Sequence, residues 1–214
     1  AKCPFITLTD FATIIKVASN ENPLGPSPIA LAAMEKVLSQ LHLYPDGNAF
    51  YLKQKLAQKL GVEPNNLILG NGSNEIIELV GHALIQPDTD VVVSQYAFAV
   101  YAIVTHLFGG RRITVPARDY GHDLPAMLKA ITPQTRVVWV ANPNNPTGTL
   151  APRAHVLRLV NEAPPNVLVA MDEAYIEYLE NPTDLLSLVR RGEKPNLLLI
   201  RTFSKIYGLA GLRL

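Results

Sequence analysis

The 214-residue sequence holds a single cysteine, Cys3, so the chain cannot form an internal disulfide. No cysteine and histidine residues have the spacing of a zinc site, and no metal is expected. Charged residues make up 17% of the chain and basic residues occur only in short runs, which argues against nucleic acid as a partner. No apolar run approaches the roughly 20 residues that span a bilayer, and residues 1–10 lack a signal-peptide pattern. These features favour a cytoplasmic protein.

Apolar residues are plentiful, at 48% of the chain, and short apolar runs alternate with helical patterns. Several of these runs lack polar alternation, which is typical of strands buried on both faces. The predicted strands are Leu67–Leu69, Val91–Ser94, Arg112–Val115, Arg136–Ala141, Val167–Met171 and Leu197–Arg201. The alternation predicts an α/β protein with three layers, α/β/α, around a mainly parallel sheet. We expect residues 1–43 to form an N-terminal arm and first helix, and residues 44–214 to form the larger domain.

Ligands of such sheets bind beyond the carboxyl ends of the strands, so the residues that follow each strand are the candidates. Residues 70–75 follow the first predicted strand, and their glycines would let backbone amides approach an anion at a helix N-terminus. A tight turn capped by Ser73 or Asn74 is the simpler interpretation. Residues 142–148 follow the fourth predicted strand. Two prolines and a glycine explain a rigid turn there, but not Asn145, whose side chain could donate to a ligand oxygen.

Asp172 and Tyr175 follow the fifth predicted strand. An aspartate at a strand end is often only a helix cap. If it faces a pyridine nitrogen, however, its charge keeps that nitrogen protonated and makes the ring a better electron sink. Tyr175 could reach a phenolic oxygen of the same ring, although ordinary packing would also explain it.

Lys205 follows the last predicted strand. A lysine is most often a solvated surface charge, but Lys205 lies among hydroxyls, glycines and apolar residues, a setting that favours a reactive amine for Schiff-base formation. Thr202, Ser204 and Arg213 offer two hydroxyls and a guanidinium to a phosphate. The strand ends together supply an anion site, two partners for a pyridine ring and an amine. This set predicts pyridoxal 5'-phosphate as the cofactor.

Three motifs carry a family resemblance: NPNNPTG at residues 142–148, DEAY at 172–175 and TFSKIYGLAGLR at 202–213. They resemble the fold-type-I pyridoxal-phosphate-dependent aminotransferases, and most closely the histidinol-phosphate aminotransferases. NENPLGPSP at residues 20–28, YPDG at 44–47 and GNGSNE at 70–75 fit the same group. The resemblance covers residues 20 to 214.

The resemblance implies a role for each site residue. Lys205 matches the lysine that forms the Schiff base and acts as general base, and Asp172 matches the partner of the ring nitrogen. Tyr44 matches a tyrosine that reaches the cofactor phosphate of a neighbouring subunit, which implies a homodimer with shared active sites. Phe98 matches an aromatic residue stacked on the ring, although a core phenylalanine is an open alternative. The other implied contacts are Asn145 and Tyr175 to the ring oxygen, Ser73, Asn74, Ser204 and Arg213 to the phosphate with Thr202 beside them, and Asn22 near the substrate.

The implied reaction takes the amino group of glutamate, the donor, and passes it to a keto acceptor, imidazole-acetol phosphate, to give L-histidinol phosphate in histidine biosynthesis. An aromatic or broad-range aminotransferase and a phosphothreonine decarboxylase remain alternatives, as does a module with this fold that lacks turnover. A nucleotide-binding domain fits less well, because neither GxGxxG nor a Walker lysine follows Gly70. The family is longer than this chain, so we expect an N-terminal fragment without the C-terminal small domain, inactive alone.

Overall fold

The computed structural model describes residues 19–214, so Cys3 and most of the predicted arm lie outside the described residues. Five parallel strands form one sheet in the order β2-β1-β3-β4-β5. Their bounds are β1 Asp90–Ser94, β2 Arg111–Val115, β3 Thr135–Ala141, β4 Leu168–Asp172 and β5 Leu197–Ile200. Five of the six predicted strands are therefore confirmed, within one residue at most ends.

Seven α-helices are present between residues 19 and 214. They are α1 Pro28–Glu35, α2 Phe50–Leu60, α3 Gly72–Leu84, α4 Ala99–Leu107, α5 Leu124–Lys129, α6 Arg153–Glu162 and α7 Leu186–Arg190. Ser27 caps the start of α1, because its hydroxyl accepts from the Ala30 amide at 3.2 Å. The described part of the chain contains no helix that is both long and apolar enough to cross a membrane.

Helices cover both faces of the sheet, which confirms the three-layer α/β/α architecture. On one face α5 and α6 pack against Val138 and Val140 of β3. On the other face α3 and α4 pack against Val137 and Trp139 of the same strand. Successive side chains of a strand point to opposite faces, so this apolar run supplies both cores at once. The central strands β1, β3 and β4 are thereby buried, and the carboxyl edge of the sheet is left for the loops that carry the candidate site.

The predicted strand at Leu67–Leu69 is wrong, because this segment pairs with no strand and Ile68 is 66% exposed. A largely apolar groove of about 320 Å³ separates the segment from β5, which forms one edge of the sheet. A strand is defined by hydrogen bonds to a neighbour, and apolar content alone does not provide that neighbour. The short helix α1 buries no residue.

Candidate active site

A cavity of about 260 Å³ opens at the carboxyl edge of the sheet, beyond β3, β4 and β5. It gathers residues from the ends of β1, β3, β4 and β5 and the loops that follow them, from the first turn of α3 and from the segment before α1. Ten of the predicted site residues line it: Ser73, Asn74, Phe98, Asn145, Asp172, Tyr175, Thr202, Ser204, Lys205 and Arg213. The rule that parallel strands present their functional residues at one edge accounts for the residues that follow β1, β3, β4 and β5, whereas Ser73 and Asn74 follow no strand of the described residues.

Asp172, the last residue of β4, is the buried acid of the cavity, with 6% of its surface exposed. The Tyr101 hydroxyl donates to its Oδ2 at 2.6 Å, and the Ala174 amide donates to its Oδ1 at 3.1 Å. Burial raises the pKa of Asp172, whereas these two hydrogen bonds and the charge of Lys205 oppose the rise. Both carboxylate oxygens are therefore fixed by donors, and a cationic group in the cavity would complete the set.

Lys205 is half buried and lies against the segment that precedes α1. Its Nζ donates to the backbone oxygen of Asn20 at 3.3 Å and stands 5.5 Å from the centre of the Tyr175 ring. The Asn20 side chain in turn donates to the Tyr175 hydroxyl at 2.9 Å. Asn20 therefore links the amine to one of the predicted partners of the ring oxygen.

The loop after Lys205 packs closely on the same N-terminal segment. Gly208 has a positive φ of 67°, and a Cβ there would collide with the backbone of Gly25. The Asn22 side chain donates to the backbone oxygen of Ile206 at 2.8 Å. Asn22 thus lies beside the lysine loop but is absent from the cavity wall, where Asn20 and Glu21 lie instead, and its expected place near the substrate stays a prediction.

One part of the cavity lining, called the phosphate end from here on, suits a phosphate. Ser73 and Asn74 lie in the first turn of α3, where the helix dipole favours an anion, and the Ser204 hydroxyl and Arg213 line the same cavity. The Arg213 guanidinium donates to the backbone oxygens of Ala210 at 2.8 Å and Asn71 at 3.3 Å. The hydroxyl of Thr202 caps its own turn, because it accepts from the Ser204 amide at 3.1 Å.

Gly72 gives the phosphate end its shape and provides a direct test. Its φ is +72°, and a Cβ would occupy the space of the Arg213 guanidinium. We expect Gly72→Ala to cost about 1–2 kcal/mol of folding free energy, since alanine is strained at positive φ. By displacing Arg213, it should also weaken pyridoxal-phosphate binding about tenfold or more, the size expected for a lost charge-assisted hydrogen bond.

Gly192→Ala is the matched control for this substitution. Gly192 also has a positive φ, +64°, but a Cβ there meets nothing within 4 Å, and Gly192 does not line the cavity. Urea unfolding should show a similar loss of stability in both variants, and a cofactor titration should show weaker binding only in Gly72→Ala. Equal cofactor affinity in the two variants would refute the steric link between Gly72 and Arg213.

The loop at residues 142–148 is held by its first two asparagines, which the sequence left without a role. The Asn142 side chain accepts from the Ala151 amide at 2.9 Å. The Asn144 side chain is buried and donates to the Tyr96 backbone oxygen at 2.9 Å and to the Thr147 hydroxyl at 2.7 Å. Asn144 therefore ties the loop that presents Asn145 to the segment that leads to Phe98.

Two tyrosines distinguish the observed cavity from the site residues that the sequence predicted. Tyr44 is fully exposed and lies outside the cavity of its own chain, so its predicted role across a subunit boundary stays a prediction. Tyr101, which contacts Asp172 from α4, was missed. The sequence held one indication of this residue, because Tyr101 lies three positions after Phe98 and hence on nearly the same side of a helix. An aromatic residue of the core produces the same spacing.

The geometry fits a phosphorylated pyridine better than a metal. Among residues 19–214, no group of three or more histidine, cysteine, aspartate or glutamate side chains could hold a metal ion. The space beside Gly72 and Arg213, the helix N-terminus and the Ser204 hydroxyl could hold a phosphate. Asp172 could pair with a protonated ring nitrogen, and Lys205 supplies an amine within the same cavity.

Comparison with known proteins agrees with this interpretation. Histidinol-phosphate aminotransferase 2 of Nitrosospira multiformis is 54% identical over 204 residues, which cover 95% of this chain and 52% of that protein. A crystal structure of histidinol-phosphate aminotransferase from Sinorhizobium meliloti in complex with pyridoxal-5'-phosphate superposes with a TM-score of 0.85 at 33% identity, covering 91% of this chain and 53% of that one. The chain thus spans about half the length of the curated relatives it matches.

A structure of L-threonine-O-3-phosphate decarboxylase from Porphyromonas gingivalis shares the fold, with a TM-score of 0.77, 22% identity, and coverage of 92% of this chain and 57% of that one. At that identity the likeness concerns the fold alone. The model of the family "Aminotransferase class I and II" matches residues 12–214, which is nearly the whole chain. The cavity, its acid, its amine and its phosphate end lie inside that match, and the chain belongs to the class I and II aminotransferase family.

Proposed function

We propose that the natural protein is a pyridoxal-phosphate-dependent aminotransferase that passes the amino group of glutamate to imidazole-acetol phosphate and forms L-histidinol phosphate in histidine biosynthesis. The observation that carries the proposal is the single cavity in which Asp172, Lys205 and Arg213 lie together. The choice of substrate is supported by relatives that are 50–55% identical and bear the name histidinol-phosphate aminotransferase. The cytoplasmic location expected from the sequence stays a prediction.

Each wall of the cavity would hold one part of the cofactor. Arg213, Ser204 and the first turn of α3 would bind the phosphate, and Asp172 would hold a proton at the ring nitrogen. Asn145 and Tyr175 would donate hydrogen bonds to the ring oxygen, and Phe98 would lie on the ring face. When bound, pyridoxal phosphate supplies an electron-poor ring that accepts the electron pair left at the substrate Cα after loss of its proton.

Lys205 is the proposed general base, since its Nζ is the amine at this cavity that could take the Cα proton. The backbone oxygen of Asn20 and the ring of Tyr175 orient that amine. Asn20 and Glu21 line the cavity beside it, so the segment before α1 limits the access of water to the reacting atoms. We also propose that the amino donor and the keto acceptor, both small molecules, bind at this one site.

The proposal also includes a homodimer. Tyr44 is fully exposed, and large apolar side chains around it in sequence are exposed as well, among them Leu41 at 76% and Tyr51 at 77%. An exposed apolar surface of this kind is typical of a face that another protein covers. A second copy of the chain is the partner that would bring Tyr44 to a neighbouring cofactor phosphate.

The test is a substrate comparison with the natural protein loaded with pyridoxal phosphate. Amino transfer from L-histidinol phosphate to 2-oxoglutarate is expected to proceed with kcat/KM about 100-fold above that for phenylalanine, because a site that binds polar groups discriminates strongly against analogues without them. Preference for an aromatic amino acid, or carbon dioxide release from phosphothreonine, would replace this substrate assignment with one of the alternatives. Bound cofactor without turnover of any substrate would contradict an enzymatic function.

A further inference from the structure

Tyr101 lies beneath the candidate site and contacts the two residues predicted to hold the ring of the cofactor. Its side chain is fully buried, and its hydroxyl donates to Oδ2 of Asp172 at 2.6 Å. Its ring meets the Phe98 ring edge to face, with centres 5.6 Å apart. One tyrosine therefore touches both the acid at the ring nitrogen and the aromatic side chain expected on the ring face.

Trp139 supports Tyr101 from the sheet side. The two rings are parallel, with an interplanar angle of 1° and centres 4.9 Å apart, and Trp139 is also fully buried. Trp139 lies on β3 opposite Ala170 of β4, two residues before Asp172, where a small side chain leaves room for the indole. The position of the Tyr101 hydroxyl is thus determined by α4 on one side and by the central strand on the other.

We propose that Tyr101, supported by Trp139, is the positioning residue that sets the orientation and charge of Asp172. The inference rests on the proposed function, because it assigns Asp172 to the ring nitrogen. A carboxylate in a buried site needs donors to remain charged, and Tyr101 supplies one of the two protein donors whose bonds to Asp172 are described above. With Oδ1 bound by the Ala174 amide and Oδ2 by Tyr101, the carboxylate plane cannot rotate freely.

The electrostatic surroundings of Asp172 define what the loss of this hydroxyl would do. The titratable groups that act on Asp172 or its phenol partner are Lys205 after β5, and Glu173 and Tyr175 after β4. Burial raises the pKa of Asp172, and the Tyr101 hydrogen bond is the largest influence that lowers it again. Removing the hydroxyl should therefore make Asp172 take up a proton at higher pH, while the packing of the ring is retained.

The experiment uses the natural protein and compares Tyr101→Phe with the wild type and with Tyr120→Phe, a control at a tyrosine that is 69% exposed and outside the cavity. Pyridoxal-phosphate affinity is measured by equilibrium dialysis from about pH 5 to about pH 8, a range that spans the acid side of neutrality. In parallel, the carboxyl carbon of Asp172 is titrated by ¹³C NMR without cofactor, and its signal is assigned by its absence in Asp172→Asn. Phenylalanine keeps the ring against Trp139 and Phe98, so the fold should be preserved.

We expect Tyr101→Phe to bind the cofactor about tenfold more weakly at the acid end of the range, as for a lost hydrogen bond to a charged group, with a smaller difference at the alkaline end. The acid limb of binding and the Asp172 titration should both move to higher pH. An unchanged titration of Asp172 would overturn the inference, and so would a uniform weakening at every pH, which indicates a merely structural role. If the wild type itself binds no cofactor, the proposed function fails, while the NMR titration still decides the role of Tyr101.

Discussion

Replacing Lys205 with alanine in the natural protein is expected to abolish covalent retention of pyridoxal phosphate and to lower turnover by at least about 10³-fold. The substitution removes the proposed general base of the cavity and leaves the phosphate end intact, so noncovalent binding should persist in weakened form. Two described contacts involve the amine, a hydrogen bond to the backbone oxygen of Asn20 and the approach to the Tyr175 ring. The side chain is only half buried, and the free energy of unfolding should therefore change by no more than about 1 kcal/mol.

The measurement is borohydride reduction of the protein mixed with pyridoxal phosphate, followed by mass spectrometry of its peptides. In the wild type the reduced cofactor should be attached to Lys205, and the Lys205→Ala variant should carry none above background. Lys55→Ala, at an exposed lysine of α2, serves as the control and should label like the wild type. Labelling of a different lysine in the wild type would refute the assignment of Lys205 and, with it, the role proposed for the cavity.

The sequence predicted some parts of the sheet and of the site correctly and missed others. The strands β1, β3 and β4 are apolar on both faces, a pattern typical of buried parallel strands, and they were predicted correctly. The run at Leu67–Leu69 has the same composition, but no strand lies beside it in the structure. The sequence shows which segments suit a buried strand, whereas pairing depends on the neighbour.

Residues that follow the strands directly were found, because their place at the carboxyl edge depends on chain order alone. Residues that act across the fold were missed. Tyr101 meets Asp172 over a separation of 71 positions, and Asn20 meets Tyr175 over 155. No local pattern specifies such pairs, since a buried tyrosine in a helix and an asparagine in an irregular segment are ordinary residues for their positions.

Asp172→Asn is expected to separate function from stability more clearly than any other substitution in the cavity. Asparagine has almost the same shape and can still accept from the Ala174 amide while its amide group donates to the Tyr101 oxygen. What is lost is the negative charge that would hold a proton at the ring nitrogen of the cofactor. We expect turnover to fall on the order of 10²–10³-fold, as is typical when one preorganised electrostatic group is removed.

The pH dependence of stability follows from the direction of the pKa shifts. Burial raises the pKa of Asp172 and of its neighbour Glu173, although Arg201 opposes the shift of Glu173. At pH values below the pKa of the unfolded chain, both groups are protonated in both states and cost nothing. Between the pKa of the unfolded chain and the higher pKa of the folded state, the unfolded chain has lost these protons while the fold still holds them. The free energy of unfolding therefore falls as the pH rises through the folded-state pKa.

Asp172→Asn removes one of the two groups responsible for that loss. Without cofactor, the variant should be more stable than the wild type at neutral pH, and the two proteins should converge as the pH falls toward the ordinary aspartate range. The check is urea unfolding followed by circular dichroism across the acid range. The control is Asp119→Asn, which should reproduce the wild-type curve. The Asp119 side chain is 98% exposed, and the backbone of this residue has a positive φ that asparagine tolerates.

The stability and the turnover of Asp172→Asn together test the role of Asp172. A variant that is both more stable without cofactor and far less active would show that Asp172 is kept at a cost to the fold, as expected of a residue selected for chemistry. A loss of stability at neutral pH would instead mean that the hydrogen bonds from Tyr101 and Ala174 outweigh the burial of the charge. In that case Asp172 would act mainly as a structural link between β4 and α4, and its assignment to the ring nitrogen would have to be withdrawn if cofactor binding were also unchanged.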